Sequence, residues 1–259
     1  MSIDTHAGLH WLSDDVLEVG GTRFLLSVDP EVYTVHPATS REFMLVKRKE
    51  MVDWLVDRLP PEEISTIFEV GLYKGGSTAF LNALLRPEIH LAVELEAEPV
   101  TALDEFAATA ASGQLKRFYG VDQADEIALA GILEEHLEDR PLDLIVDDAS
   151  HLYRETRSTF EVTFPRLRPG GRYIIEDWNW AHMDEDLWQY AGGYWADRPA
   201  LTNLIVELVM VAGTDRSAIA EITVDRDMVE VVRGDRSLPT PFRLATAYLN
   251  RGLRFRPIL

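Results

Sequence analysis

Two pairs of acidic residues follow two largely hydrophobic segments in the second half of the chain. Asp147-Asp148 comes directly after residues 142–146, and His151 stands three positions beyond the second of these acids. Glu176-Asp177 comes directly after residues 173–175. If both segments are strands of one parallel sheet, the acids lie at the carboxyl ends of the strands, where open α/β sheets hold their ligands. Carboxylates held together repel one another unless a cation lies among them, and oxygen ligands suit a hard divalent ion such as Mg²⁺. A histidine beside such a cluster can remove a proton from a substrate near neutral pH.

A glycine-rich turn lies between the first predicted strand of the main sheet and a helix. It reads Glu69-Val70-Gly71-Leu72-Tyr73-Lys74-Gly75-Gly76-Ser77. Glycines let the backbone approach a ligand, and a helix N-terminus offers free N–H groups. The turn departs from the dinucleotide fingerprint G-x-G-x-x-G because Tyr73 occupies the position of the second glycine, and it lacks the G-K-[ST] of a phosphate loop. By itself such a motif is more commonly a plain tight turn.

Acidic residues also follow the next two predicted strands. Glu94 ends the strand after the glycine turn, at the place where nucleoside-binding α/β folds put an acid for ribose hydroxyls. Asp122-Gln123 follows the third strand, where the two side chains could hydrogen-bond to the edge of an adenine ring. Acids at successive strand ends beside a glycine turn favour a nucleoside site over surface residues.

The elements that must position these residues alternate regularly from residue 64 onward. Strands are predicted at 64–70, 89–93, 116–121, 142–146 and 172–175, with helices at 77–85, 99–111, 125–137 and 153–167. Strands separated by helices imply right-handed crossovers and a parallel sheet. A helix at 201–211 and two alternating segments at 218–224 and 228–233 then predict a hairpin at the sheet edge. We therefore predict a doubly wound, mostly parallel, seven-stranded Rossmann-like α/β sheet over residues 61–259.

Residues 1–60 differ from the rest and are predicted to form a small N-terminal appendage. Residues 16–19 and 23–26 flank Gly20-Gly21 and predict a β-hairpin. Thr39-Ser40 could cap a helix running from about 41 to 58. The appendage could be a lid over the site, an oligomer contact or a segment buried against the main sheet.

The composition excludes several classes of function. The net charge of −19 disfavours nucleic acid and anionic membranes, because both require a basic surface. The absence of cysteine rules out disulfides, thiolate metal sites and a cysteine nucleophile. The first six residues lack the regions of a signal peptide, and no run approaches the ~20 apolar residues of a membrane helix. A cytoplasmic enzyme is the expectation.

Taken together, these motifs resemble the metal-dependent class I S-adenosylmethionine methyltransferases. Within them, the sequence is most similar to the macrocin and mycinamicin type of sugar O-methyltransferase, and the resemblance covers residues 64–180. It rests on the glycine turn, Glu94, Asp122-Gln123, the Asp-Ala-Ser-His signature at 148–151 and Ile175-Glu176-Asp177. More loosely, the N-terminal hairpin and helix are similar to mycobacterial methyltransferases that act on methylmannose polysaccharide.

The resemblance implies a role for each of these residues. Those that would bind S-adenosylmethionine are Glu69, Gly71, Tyr73, Gly75, Ser77, Glu94, Asp122, Gln123 and Asp147. Among these, the glycines and Ser77 would shape the methionine end and Glu94 would hold the ribose. Asp147 has two open possibilities, structural hydrogen bonds or a cofactor contact. The residues that would bind Mg²⁺ are Asp148, Glu176 and Asp177, and His151 would be the general base.

The function implied is Mg²⁺-dependent methyl transfer to a hydroxyl of a sugar or glycosylated small molecule. A catechol-type O-methyltransferase is an alternative, although its second acidic pair is typically Asp-Asn where this chain has Glu-Asp. A non-catalytic nucleoside- or metal-binding module is a third possibility, because fold does not fix function. The aromatic residues of 178–195 could stack on sugar faces, or they could form core or a dimer contact. A homo-oligomer, with a dimer as the simplest case, is expected.

Overall fold

The structure is a computed structural model that describes residues 8–109, 115–190 and 192–258. It divides the chain into two compact units, Met1–Gly120 and Val121–Leu259. The first unit combines the N-terminal residues with the first strands of the main sheet, and the predicted division into 1–60 and 61–259 stays a prediction. Three predicted features fall wholly or partly outside the described residues: the prediction on residues 1–6, the end of the helix predicted at 99–111, and position 191 of the aromatic stretch.

The first unit begins with a small sheet and continues with alternating strands and helices. Its strands are β1 (Leu9–Ser13), β2 (Val16–Val19), β3 (Thr22–Leu26), β4 (Glu42–Leu45), β5 (Thr66–Val70), β6 (Ile89–Glu94) and β7 (Leu115–Tyr119). Its helices are α1 (Pro30–Tyr33), α2 (Lys49–Arg58), α3 (Gly76–Leu85) and α4 (Thr101–Thr109).

The second unit continues the alternation and ends with two antiparallel strands. Its strands are β8 (Leu142–Asp147), β9 (Leu167–Glu176), β10 (Ile219–Val224) and β11 (Met228–Arg233). Its helices are α5 (Glu126–Leu137), α6 (Tyr153–Thr163), α7 (Asp186–Gln189), α8 (Thr202–Thr214) and α9 (Leu244–Ala247). None of the helices in the described part of the chain is long and apolar enough to cross a membrane.

One seven-stranded sheet has the order β10-β11-β9-β8-β5-β6-β7. The pairs β5–β6, β6–β7 and β8–β9 are parallel, whereas β11 runs antiparallel to both β9 and β10. The predicted mostly parallel seven-stranded α/β sheet and its terminal hairpin are therefore confirmed. β8 is buried along its whole length, which fits a central strand of such a sheet.

The N-terminal hairpin is confirmed, and two further strands extend it. β2 and β3 pair antiparallel across Gly20 and Gly21, whose φ angles of +59° and +82° suit a two-residue hairpin turn. β1 pairs with β2, and β4 lies parallel to β3.

The predicted helix 41–58 is wrong in its first part. Glu42–Leu45 is strand β4, and α2 begins only at Lys49. The last three residues of β4 are all buried, and a short, continuously apolar segment of this kind suits a strand buried on both faces. Thr39 caps no helix, because its side chain accepts from the backbone N–H of Glu42 at 3.0 Å within a local turn.

Aromatic residues join the N-terminal sheet to the helices of the first unit. Phe24 stacks on Phe43 with ring centroids 6.3 Å apart and meets Phe80 of α3 edge-on at 5.6 Å. Phe43 meets Phe106 of α4 edge-on at 5.8 Å. Because these rings are buried, the four-stranded sheet shares a core with α3 and α4.

The predicted helix 153–167 is too long at its C-terminus. α6 ends at Thr163, a 3₁₀ turn covers Phe164–Arg166, and β9 begins at Leu167, five residues before the predicted strand. Pro165 lies in this turn, and proline cannot donate the backbone hydrogen bond that would continue the helix.

Candidate active site

The carboxyl ends of β8 and β9 bring two of the predicted acids together with the predicted base. Asp148, His151 and Asp177 each offer one ligand atom, and these atoms all lie within 4.8 Å of one another. The three residues are half-buried. His151 and Asp177 have φ angles of +53° and +54°, and non-glycine residues held in this conformation cluster at functional sites.

This arrangement fits a divalent cation. Two carboxylates held this close repel each other, and a cation between them removes that cost. Their oxygens suit a hard ion such as Mg²⁺, which keeps several of its waters and takes one or two carboxylates from the protein. The third predicted ligand, Glu176, is not in the group of described residues within 4.8 Å, where His151 stands instead. The Glu176 side chain is buried, and its role as a ligand stays a prediction.

His151 is oriented by a backbone carbonyl and by an indole. Its Nδ1 lies 3.3 Å from the carbonyl oxygen of Glu176, and because that oxygen can only accept, Nδ1 carries the proton. Nε2 then keeps the lone pair, and it lies 3.8 Å from Asp148 Oδ1. The imidazole packs against Trp180, with ring centroids 4.1 Å apart, and the side chain is 9% exposed.

The segment between Asp147 and His151 is fixed by the side chain of Gln123. Its amide nitrogen donates to Asp147 Oδ1 at 3.2 Å and to the hydroxyl of Thr159 at 3.1 Å. Its amide oxygen accepts from the backbone N–H of Ser150 at 2.9 Å. Gln123 is buried, so the structure places its side chain within this network, and its predicted contact with adenine stays a prediction. The neighbouring Asp122 is exposed and accepts from the backbone N–H of Ala124 at 2.8 Å.

Asp147 makes structural hydrogen bonds, the first of its two expected possibilities. Besides the bond from Gln123, it accepts from the hydroxyl of Tyr173 at 2.7 Å. Burial raises the pKa of Asp147 to about 7, against the opposing effect of these two hydrogen bonds. Burial and the neighbouring Asp147 raise the pKa of Tyr173 well above its ordinary range, so the tyrosine remains a donor.

In the first unit, Glu94 binds the glycine turn. Its Oε2 accepts from the backbone N–H groups of Leu72 and Tyr73, both at 2.8 Å, and its Oε1 accepts from that of Glu96 at 3.1 Å. A carboxylate has about four acceptor positions, so these three bonds leave capacity for a ligand hydroxyl. Gly71 and Gly75 have φ angles of +94° and +83°, which explains glycine at both positions.

Gly76 is required by packing rather than by a ligand. A Cβ at this position would lie 2.0 Å from the carbonyl oxygen of Met44 in β4, too close for any side chain. Lys74 also contacts the N-terminal residues, since its Nζ donates to the carbonyls of Tyr33 and Thr34 at 3.1 Å and 2.5 Å. The glycine turn is therefore held by the N-terminal sheet and α1.

The remaining predicted residues of the first unit differ in their surroundings. Tyr73 is 52% exposed and meets Tyr33 edge-on at 6.1 Å. The Ser77 hydroxyl is buried and has no hydrogen-bond partner among the described residues, as expected for a group that awaits a ligand. Glu69 is fully buried and lies 3.0 Å from His90 Nε2, so the structure places it in the core of the unit. Its predicted cofactor contact stays a prediction.

Tryptophans cover His151 and form a small cavity beside it. Trp180 lies 4.5 Å from Trp188 and 5.6 Å from Trp195 between ring centroids. The cavity encloses about 50 Å³ and is also lined by Arg198, a residue that sequence reasoning missed. The aromatic residues of 178–195 were a visible signal for this cavity, but nothing in the sequence distinguishes Arg198 from other surface arginines.

Several known proteins similar to this chain are methyltransferases. Residues 68–178 match the family described as "Methyltransferase domain". L-olivosyl-oleandolide 3-O-methyltransferase of Streptomyces antibioticus is 38% identical over 78 residues, which cover 30% of this chain and 19% of that protein. Mycinamicin VI 2''-O-methyltransferase of Micromonospora griseorubida is 49% identical over 37 residues, 14% of this chain and 9% of that protein. These alignments span less than a fifth of the curated relatives.

A solved structure, "MycE Methyltransferase from the Mycinamycin Biosynthetic Pathway in Complex with Mg, SAH, and Mycinamycin VI", has the same fold. It matches with a TM-score of 0.52 and 22% identity, over 79% of this chain and 51% of that chain. The resemblance predicted from the motifs is thus confirmed: residues 68–178 match a methyltransferase domain, the fold is shared with a solved methyltransferase, and the proteins to which the chain is similar include sugar O-methyltransferases.

Proposed function

We propose that the protein transfers a methyl group from S-adenosylmethionine to a hydroxyl of a sugar or glycosylated acceptor, with Mg²⁺ bound beside His151. The observation that carries this proposal is the convergence of Asp148, His151 and Asp177 at the carboxyl ends of β8 and β9. The names of the relatives support an O-methyltransferase acting on a glycosylated compound. The methyltransferase domain supports the methyl donor.

His151 has the chemistry of the base. A sugar hydroxyl is a poor nucleophile near neutral pH, so its proton must leave as its oxygen attacks the methyl carbon. The new oxygen–carbon bond forms as the carbon–sulfur bond breaks, and the electron pair of the broken bond returns to sulfur. Nε2 of His151 takes the proton, because the carbonyl of Glu176 holds the other ring nitrogen in its protonated form. General-base help of this kind contributes about 10²- to 10⁴-fold.

Asp148 and Asp177 are the residues that would hold the cation. A divalent ion bound there supplies positive charge beside the reacting hydroxyl and lowers the cost of removing its proton. Gln123 and Asp147 keep the segment that carries Asp148 in place through a buried hydrogen bond between their side chains and a partly buried one from the backbone N–H of Ser150 to Gln123. The site therefore contributes mainly position and charge, because the sulfonium methyl group is already reactive.

Glu94 and the glycine turn are the residues of the first unit proposed to hold S-adenosylmethionine. Glu94 accepts ribose hydroxyls with its remaining lone pairs, and it fixes the turn at the same time. The unpartnered hydroxyl of Ser77 and the free N–H groups at the start of α3 are the groups that would contact the methionine portion.

The proposal is tested by a methyl-transfer assay on a defined acceptor panel. We suggest methyl glycosides of L-rhamnose, D-mannose and D-glucose, with catechol as the contrasting diol, and radiolabelled S-adenosylmethionine as donor. Methylated glycoside that disappears with EDTA and returns with Mg²⁺ supports the proposal. Methylation of catechol alone indicates the catechol-type alternative. Binding of S-adenosylhomocysteine without transfer to any acceptor indicates a non-catalytic module.

A homo-oligomer stays a prediction. Light scattering of the full chain in solution measures its mass directly, and the 29.3 kDa chain makes a monomer and a dimer easy to separate.

A further inference from the structure

We propose that Trp188 and Arg198 are the residues that recognise the acceptor, by donating hydrogen bonds to two oxygens of a sugar ring stacked on the tryptophans beside His151. This inference deepens the proposed function and rests on it. It concerns residues outside the base, the cation ligands and the cofactor contacts, and it assigns acceptor recognition to the cavity covered by Trp180.

Aromatic rings provide one surface of this recognition site. Trp180, Trp188 and Trp195 lie 4.5–5.6 Å from one another between ring centroids, and all three line the cavity with His151. Pyranose rings expose apolar C–H groups on their faces, and such faces pack well on an indole. His151 lies on one side of this cluster, so a sugar held there has its hydroxyls beside the base.

Two buried donors in the same cluster lack acceptors. Trp188 Nε1 and Arg198 Nε are both buried with no hydrogen-bond partner among the described residues. Leaving such a donor unsatisfied costs about 1–3 kcal/mol, so a native protein rarely keeps two of them together without a ligand. None of the ion pairs within the described ranges includes Arg198, although the protein has an excess of 19 negative charges.

Arg198 is also held in a fixed orientation. Its guanidinium carbon lies 4.0 Å from the ring centroid of Tyr194, a stacking contact that limits its rotamers without using its N–H groups. A preorganised donor of this kind loses little entropy on binding. Indole N–H and guanidinium N–H groups donate only, so the partner atoms are acceptors, such as hydroxyl, ring or glycosidic oxygens.

The size of the cavity determines how the acceptor enters. The cavity, with a volume of about 50 Å³, is too small for a pyranose ring. The ring therefore enters by separating the tryptophan side chains, and this movement exposes the two buried donors to it.

The test measures sugar binding without methyl transfer. Ligand-observed NMR on the full chain with Mg²⁺ and S-adenosylhomocysteine gives the Kd of each methyl glycoside of the panel. Trp188→Phe keeps an aromatic ring but removes the N–H together with the pyrrole ring, and the loss of the hydrogen bond and of part of the stacking face weakens the Kd by at least about 3- to 10-fold. Arg198→Lys keeps the charge and removes the planar donor, and the affinity falls by about 10-fold or more, because hydrogen bonds from charged donors are stronger.

Trp54→Phe is the matched control. The Nε1 of Trp54 is also buried with no hydrogen-bond partner among the described residues, but Trp54 belongs to α2 of the first unit and is not among the residues that line the cavity. This variant leaves the Kd for every glycoside unchanged. The Kd of S-adenosylhomocysteine stays the same in all three variants, which shows that each remains folded.

The outcomes separate this inference from the proposed function. An unchanged glycoside Kd in Trp188→Phe overturns the inference, as does a wild-type protein that binds none of the three glycosides. Glycoside binding that depends on Trp188 and Arg198 in a protein without methyl transfer supports the inference and refutes the proposed function. Methyl transfer that is insensitive to both substitutions supports the proposed function and refutes the inference.

Discussion

Substitution of Gln123 distinguishes a structural side chain from a cofactor contact. Gln123→Met keeps the length and much of the volume of the side chain but removes its amide. The carboxylate of Asp147 then loses one of its two donors, the one at Oδ1, and the backbone N–H of Ser150 loses its acceptor. Each buried polar group left without a partner costs about 1–3 kcal/mol, and the Ser150 bond is only partly buried. We therefore expect the free energy of unfolding to fall by roughly 2–4 kcal/mol.

The same variant should bind the cofactor almost normally. The amide of Gln123 is already used within the second unit, so little of its bonding capacity is available to an adenine ring. Isothermal titration calorimetry with S-adenosylhomocysteine should give a Kd within about threefold of the wild type, which corresponds to less than 1 kcal/mol. Urea unfolding measures the stability difference on the same samples. Asp122→Asn, at the exposed neighbouring position, should leave stability nearly unchanged.

One result would refute this reasoning. If Gln123→Met lost more than tenfold in affinity for S-adenosylhomocysteine and unfolded at the wild-type urea concentration, the side chain would serve the cofactor. Its bonds to Asp147 and Ser150 would then contribute nothing measurable to the fold.

Three further predictions concern the acids and the base. His151→Ala should lower kcat for glycoside methylation by about 10²- to 10⁴-fold with an unchanged Kd for S-adenosylhomocysteine, and a wild-type rate would remove the base from the mechanism. Asp148→Asn and Asp177→Asn should each weaken Mg²⁺ binding by at least about tenfold in calorimetric titrations, because each removes a charged ligand; unchanged Mg²⁺ affinity would place the ion elsewhere. In EDTA, the wild type should lose roughly 2–3 kcal/mol of stability between pH 5 and pH 8 through Asp147. Because the pKa of Asp147 is raised to about 7, its protonated carboxyl contributes to the stability of the folded state. This contribution is fully present below about pH 4 and is lost as the pH rises through 7. Asp147→Asn should lack this component in pH-dependent urea unfolding, and equal slopes for both proteins would show that the carboxyl is not protonated.

The main sheet and the N-terminal hairpin could be predicted because both depend on local sequence patterns. The alternation of strands and helices from residue 64 gave the seven-stranded sheet, and Gly20-Gly21 gave the N-terminal hairpin. β4 was missed because a short apolar segment fits both a helix and a strand, and its parallel pairing with β3 depends on residues about 20 positions away. Helix α6 was overextended although Pro165 marks its end.

The site was predictable to the extent that its residues are near one another in sequence or at strand ends. The spacing of Asp148 and His151 and the position of Asp177 after the next strand were enough to bring these three together. The hydrogen bond from the backbone N–H of Ser150 to the side chain of Gln123 could not be predicted, because it joins residues 27 positions apart and depends on side-chain packing. Arg198 is a similar case, since its relation to His151 depends on how the tryptophans fold over it.

The close approach of Gly76 to the carbonyl of Met44 means that the glycine turn and strand β4 constrain each other's structure. A side chain at position 76 would collide with the backbone of β4, so position 76 must remain glycine as long as β4 lies against it. A chimera could take its first 60 residues from a relative, for example to change acceptor preference. It would then also place the backbone of that relative against the glycine turn. Exchange of this segment should therefore change affinity for S-adenosylmethionine together with specificity, and successful recombination would place its crossover point after the glycine turn rather than before it.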